Sequence, residues 1–267
     1  MDWTILRASL ELRRVSLFWY SLGLAAYGWM IVAFYPLLVH NPQYSKAIQS
    51  VFSDQLLAAF GGSGLTITTL GGFLGIEYLS LIWVFIVGAA VITFIAGALG
   101  GEVEDGTMEV TLSQPVSRTQ VVLTSYVGMA VYAIVLNLVT VAAIYLPGFI
   151  HGVDVPLDAM ALLFVIGTLV TLAIGSFAFT VSAISSSKGR TIAITLGVMV
   201  AMYLADVLGN LSDKAEWLRN FSLFHYWKPA DVINDLKVAG DAWLVFGIAA
   251  ALFLVAGVYA FQKRDVV

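Results

Sequence analysis

Six long apolar stretches, five of them free of any charged side chain, constrain this chain more than any other feature. Leu17–Val39, Leu79–Gly101, Val121–Ile150, Ala159–Ser187 and Ala242–Gln262 hold no Asp, Glu, Lys or Arg. Thr191–Leu211 holds one, Asp206, near its end. A hydrocarbon core about 30 Å thick needs about 20 apolar residues of helix, and each stretch supplies them. Composition agrees: 60 % of residues are hydrophobic and 11 % charged, against about 25 % charged in soluble domains. The expectation is an all-α integral membrane protein, one domain over residues 1–267. Its spans fall near 17–39, 79–101, 121–148, 159–187, 191–211 and 242–262. The first is too long for a signal-peptide core and lacks a small-x-small cleavage site, so it is expected to be retained.

An even number of spans puts both termini on one side, and the Lys/Arg balance says which. With the termini inside, segments 1–16, 102–120, 188–190 and 263–267 carry eight basic residues in 43 positions, the outer segments five in 83. Cytoplasmic termini in a cell (plasma or inner) membrane follow as the expectation. Ser117 and Gln120 have the spacing of a capping box ahead of the third span. Asp158 and Asp241 stand where N-caps of the fourth and sixth would fall.

Residues 2–14 read as an amphipathic helix lying in the interface and turning into the first span. Trp3, Leu6 and Leu10 follow helical spacing on one side, Arg7, Glu11 and Arg14 on another, with Arg13 beside them. A basic leader without fixed structure is the other reading. In the first outer segment Ser45–Phe60 suits an interfacial helix, with breaks at Gly61–Gly64 and at Gly71-Gly72. The second, 206–241, suits one or two short helices around Trp217–Tyr226.

The loop 102–120 is the most informative stretch, with four acids and one arginine. Asp105 or Thr107 can cap a short helix that must end before Pro115. On it Met108, Thr111 and Leu112 share a face and Glu109 turns elsewhere. Such a helix, with nothing of its own to pack on, suggests a protein partner; equally, the acids can pair with Arg13, Arg14 or Lys188.

Glu102-Val-Glu104-Asp105-Gly106-Thr107-Met108-Glu109-Val-Thr111-Leu112-Ser-Gln-Pro115-Val-Ser-Arg118 resembles the E-x-E-x-G-T-x-E-x-L-L-x-x-P-V-S-R signature of ABC-2-type transporter permeases. Stretches 72–80 and 217–231 resemble the same family, so the likeness spans nearly the whole chain. Thr111 departs from the usual Leu-Leu pair, and Ser125 stands near a common lysine. The resemblance implies that residues 2–14 are an elbow helix and that Thr107–Gln114 is a coupling helix docking into a cytoplasmic ATPase. Glu102 and Glu104 would then brace the base of the second span, and Pro115 and Arg118 fix the loop's return. It further implies a dimer, with a second copy or a sister permease, on two ABC ATPase subunits that bind the ATP and Mg.

The chain carries no chemistry of its own. There is no G-x-x-x-x-G-K-[ST], H-E-x-x-H or G-x-S-x-G, so it is not expected to be an enzyme or to hold a cofactor. It has no cysteine, which removes disulfides and thiolate metal sites, and its net charge of −4 gives no nucleic-acid footprint. His40, His151 and His225, with Asp154 and Asp158, match no metal-ligand spacing, and no metal site is expected. Asp206 reads as a hydrated acid at the bilayer boundary or as part of an exit vestibule. Asn137 reads as an interhelical hydrogen-bonding residue. Gly167, Thr171 and Gly175 recur every four residues, followed by Ser182 and Ser186, which serves close packing in the bundle or else a dimer seam or sliding surface. Spans without midplane charge favour a hydrophobic or amphipathic substrate, and export is the family-level expectation. A secondary transporter independent of an ATPase and a membrane scaffold are the competing readings.

Overall fold

The computed structural model describes residues 3–40 and 69–264. It is all-helical there, with six helices long and apolar enough to cross a membrane. They are α1 (Trp3–His40), α3 (Ile82–Ile95, prolonged to Glu104), α5 (Arg118–His151), α6 (Leu157–Ile184), α7 (Lys188–Leu211) and α10 (Gly240–Lys263). Shorter helices lie between them: α2 (Leu70–Leu74), α4 (Thr107–Leu112), α8 (Glu216–Arg219) and α9 (Pro229–Asp235). The expected helix at Ser45–Phe60 and the break at Gly61–Gly64 lie outside the described residues, as does the side chain of His40.

α3 and α6 form the centre. α6 packs on α5, α3 and α10, and α1 packs along α5. Small residues set the approach of these helices, because apolar chains gain little by leaving lipid and association rests on close packing. A Cβ on Gly167 would meet the Asn137 amide oxygen at 2.6 Å, and one on Gly175 would meet the Met129 sulfur at 2.5 Å. Between them, Thr171 Oγ1 accepts from Asn137 Nδ2 at 3.1 Å. The Gly167–Thr171–Gly175 stripe is therefore occupied by α5 of the same chain, and the seam reading gives way to internal packing.

α3 departs from regular helix toward its C-terminal end, where Ala96–Gly101 widens into a π-turn. A π-turn leaves backbone groups out of register, and at membrane depth each needs a partner. The Ser182 hydroxyl of α6 serves two: it accepts from Gly100 N–H at 3.0 Å and donates to Ile95 C=O at 3.2 Å.

Four sequence expectations are corrected. The elbow is not a separate element, because α1 runs unbroken for 38 residues, about 57 Å at 1.5 Å per residue. The chain does not break at Gly71-Gly72, which lies inside α2. Glycine is needed there because a Cβ on Gly71 would meet Ala230 O at 2.7 Å and Asn234 Oδ1 at 2.6 Å. Asp158 and Asp241 sit in the first turns of α6 and α10, whose caps are Pro156 and Ala239. They face the helix dipole instead of capping it. Pro156 explains the first shift, since the ring presets the turn two residues earlier.

The corresponding stretches before the second and sixth spans pack together at the end of the bundle away from the termini. α2 lies against α9, with Gly71 N–H donating to Asn234 Oδ1 at 3.0 Å. Below them Trp83 and Trp227 stack at 4.9 Å, and Trp227 Nε1 donates to Leu79 O at 3.0 Å.

Candidate coupling site

The opposite end of the bundle gathers the start of α1, the 102–118 loop, the α6–α7 turn and the end of α10. Gly106, at φ +71°, turns the chain out of α3, a conformation that favours glycine. It is also the residue preceding α4, so neither Asp105 nor Thr107 caps that helix. Thr107 Oγ1 instead donates back to Glu102 C=O at 3.2 Å, closing the turn. α4 ends at Leu112, and Ser117 and Gln120 form both bonds of the capping box that starts α5. Pro115 lies exposed in the return between them.

The face of α4 that the sequence offers to a partner is turned inward. Met108 is fully buried in the main core, with Leu112 half-buried against it and Thr111 half-buried. The helix therefore does pack on its own chain, and a different face remains free. Glu109, Val110 and Ser113 point outward, Val110 with 67 % of its surface exposed.

Three acids and two arginines tie this short helix to the rest of the bundle or stand beside it. Glu104 accepts from Lys188 N–H at 2.8 Å and from Ser187 Oγ at 3.3 Å, capping α7. Glu102 is half-buried near Arg13 of α1, without an ion pair closer than 4 Å among the described residues. Asp105 is exposed. Arg118 Nη1 donates to Arg264 C=O at 2.6 Å. Arg264 in turn caps α6 through Ala183 O at 3.2 Å and Ser185 O at 2.8 Å. Burial draws the Arg264 pKa below its ordinary value, and a guanidinium stays charged through such a shift. The residues that flank α4, Glu104 before it and Arg118 after it, thus make polar contacts with α7 and with the residue that follows α10.

On the N-terminal part of α1, Leu6 is buried, Leu10 half-buried and Trp3 exposed at 71 %. Trp3 therefore does not share the inward side with Leu6 and Leu10. Arg13 does: its guanidinium lies 5.1 Å from the centre of the Phe94 ring and donates to Ser9 O at 3.1 Å. Arg7 pairs with Glu11 at 2.7 Å and Arg14 is exposed.

At the far end, Asp206 is not a hydrated rim residue. Its side chain is 15 % exposed and lies 3.7 Å from His225 Nδ1, under Tyr203 of the same helix. Burial first, and then Arg219 and Lys228, hold the His225 pKa below its ordinary value. No three potential ligands among His, Asp and Glu come together among the described residues. The sequence did not point to Glu104 as an N-cap of α7, to Ser182 as a partner of the α3 backbone or to Arg264. Ser182 and Arg264 act on backbone groups distant in sequence, and only the folded turn brings Glu104 to residue 188.

No curated protein matches this sequence. The profile of the family described as ABC-2 family transporter protein matches residues 24–266. That range takes in five of the six spanning helices whole and α1 from Leu24 onward, with the π-turn of α3, α4 and both stretches of the far end. The chain belongs to the ABC-2 transporter family, as a multi-pass membrane permease.

Proposed function

We propose that this chain is the membrane subunit of an ATP-driven exporter, working as a dimer on two separate ATPase subunits. The dimer partner is a second copy or a sister permease. The end that carries α4 and both termini faces the cytoplasm, in keeping with its excess of Lys and Arg, in a plasma or inner membrane. ATP and Mg belong to the ATPases; no step of hydrolysis falls to this chain.

One observation carries the reading. α4 presents Glu109, Val110 and Ser113 outward while Glu104, at its base, caps α7. α7 and α10 leave most of their apolar surface uncovered by this chain, which suits a partner permease across a lipid-lined path. Six spans with few midplane charges suit a hydrophobic or amphipathic cargo.

The test is purification of the full chain from its native membrane under mild conditions. A soluble ABC-type ATPase at about one copy per permease, lost on Val110→Glu, is the expected result. A permease that transports in vesicles without any ATPase would overturn the reading in favour of a secondary transporter. One that never moves a solute and stimulates no ATPase would leave a scaffold.

A further inference from the structure

A cavity of about 710 Å³ opens between the start of α1, the π-turn of α3, α4 and the start of α5. Its wall carries charges of both signs from three elements: Arg13 of α1, Glu102 and Asp105 beside α4, and Lys188 of α7. Arg13 spends one terminal nitrogen on Ser9 and rests on Phe94. Its other terminal nitrogen lies beside Gly97, where a Cβ would come within 3.3 Å. Neither Arg13 nor Glu102 has an ion pair within 4 Å among the described residues. Two half-buried opposite charges thus share one cavity without neutralising each other by contact, and a half-desolvated charge gains strongly from a charged hydrogen-bonding partner.

On the α1 side the rim of the cavity is apolar and continues outward. Leu12, 77 % exposed, lines it, and Val15, Trp19 and Leu22 follow at helical spacing along the exposed side of α1. A polar, charge-balanced chamber at the membrane surface therefore leads into an uncovered apolar stripe that runs into the bilayer.

We propose that this cavity binds the headgroup of an aminophospholipid, with its acyl chains along the Leu12–Leu22 stripe. The phosphate meets Arg13 and Lys188, and the primary ammonium meets Glu102 and Asp105. An anionic headgroup would leave both acids facing it, unlike the purely basic pockets that select anionic lipids. A quaternary ammonium satisfies the charge but donates no hydrogen bond to Glu102. The inference does not rest on the coupling role of α4, because retention of lipid is read with no ATPase present.

The full chain, stripped of lipid in detergent, is titrated with phosphatidylethanolamine, phosphatidylcholine or phosphatidylglycerol of identical acyl chains, and bound lipid is counted by native mass spectrometry. Phosphatidylethanolamine should be retained roughly tenfold more tightly than the other two, the scale of one charge-assisted hydrogen bond. Glu102→Gln should erase the preference over phosphatidylcholine, and Arg13→Gln should lower retention of both zwitterionic lipids. Leu12→Asp, at an exposed position that no core packing depends on, should lower retention even if Arg13→Gln yields no folded protein. Equal retention of the three lipids by the unaltered chain overturns the proposal, as does a preference that survives Glu102→Gln. Displacement of the lipid by millimolar glycerophosphoethanolamine alone would overturn the lipid part, assigning the cavity to a soluble phosphoamine.

Discussion

The carboxylate of Glu104 accepts the backbone N–H of Lys188 at 2.8 Å, joining the base of α4 to the first residue of α7. The first N–H groups of a helix have no partner within it, and an acid there also meets the positive end of the helix dipole. The same carboxylate holds Ser187 Oγ at 3.3 Å, so one side chain fixes the start of a helix 84 residues further along the chain.

Removing that link should separate ATP hydrolysis from transport. In Glu104→Ala, and more strongly in Glu102→Ala/Glu104→Ala, the protein should insert and keep its ATPase, while transport per ATP in reconstituted vesicles falls severalfold. A severalfold fall corresponds to about 1 kcal/mol, the scale of a hydrogen bond at a solvent-exposed site. Glu104→Gln, which keeps an acceptor without the charge, should fall between. Undiminished transport in the double variant would remove Glu102 and Glu104 from the coupling route.

The two faces of α4 should respond differently to the same chemistry. Glu109→Lys and Val110→Glu alter exposed side chains, so yield and thermal stability should stay within about 0.5 kcal/mol of the unaltered chain. Co-purification of the ATPase should be lost. Met108→Glu places an unpaired charge in the core, so folded protein itself should be lost. Met108→Ala should cost about 2 kcal/mol or more in stability. Loss of the ATPase at Met108 variants alone, with Val110→Glu silent, would place the docking surface elsewhere.

The spans were readable from the chain because their signal is local: a run of apolar residues long enough for the bilayer needs no tertiary context. The capping box at Ser117 and Gln120 is local in the same way. What escaped the sequence depends on residues far apart. The inward turn of Met108 is set by the core it enters, which a six-residue helix cannot reveal. Gly71 looks like a breaker from its neighbours and is a contact point because of Ala230 and Asn234. Asp206 looked like a rim acid because its cover, His225 and Arg219, comes from a later segment. The unbroken α1 escaped for a different reason. Amphipathic spacing over residues 2–14 is equally compatible with a helix that bends into the membrane and one that runs straight on.

Ser182 tests the π-turn of α3. Its hydroxyl is the partner of both Gly100 N–H and Ile95 C=O, and all three residues are buried. Ser182→Ala removes two hydrogen bonds to buried backbone groups, at a cost of about 1–3 kcal/mol. Thermal unfolding in detergent should show the loss, whereas Ser186→Ala, at an exposed position, should change little. A Ser182→Ala variant as stable as the unaltered chain would mean that the π-turn relaxes to regular helix without it.

At the far end, the close approach of Gly71 to α9 makes a prediction about rescue. A methyl group at position 71 meets two obstacles, the Asn234 side chain and the Ala230 carbonyl. Asn234→Ala removes the first and leaves the second, so it cannot restore a Gly71→Ala chain. The backbone must move, and α2 must part from α9. Ile233, buried on α9 three residues on from Ala230 and so beside the same face, can report this, because the chain has no cysteine of its own. In an Ile233→Cys background the thiol should be protected from a polar maleimide. It should become reactive on adding Gly71→Ala, and should stay reactive when Asn234→Ala is added as well. Protection restored by Asn234→Ala would show that the side chain, not the carbonyl, sets the approach of these two helices.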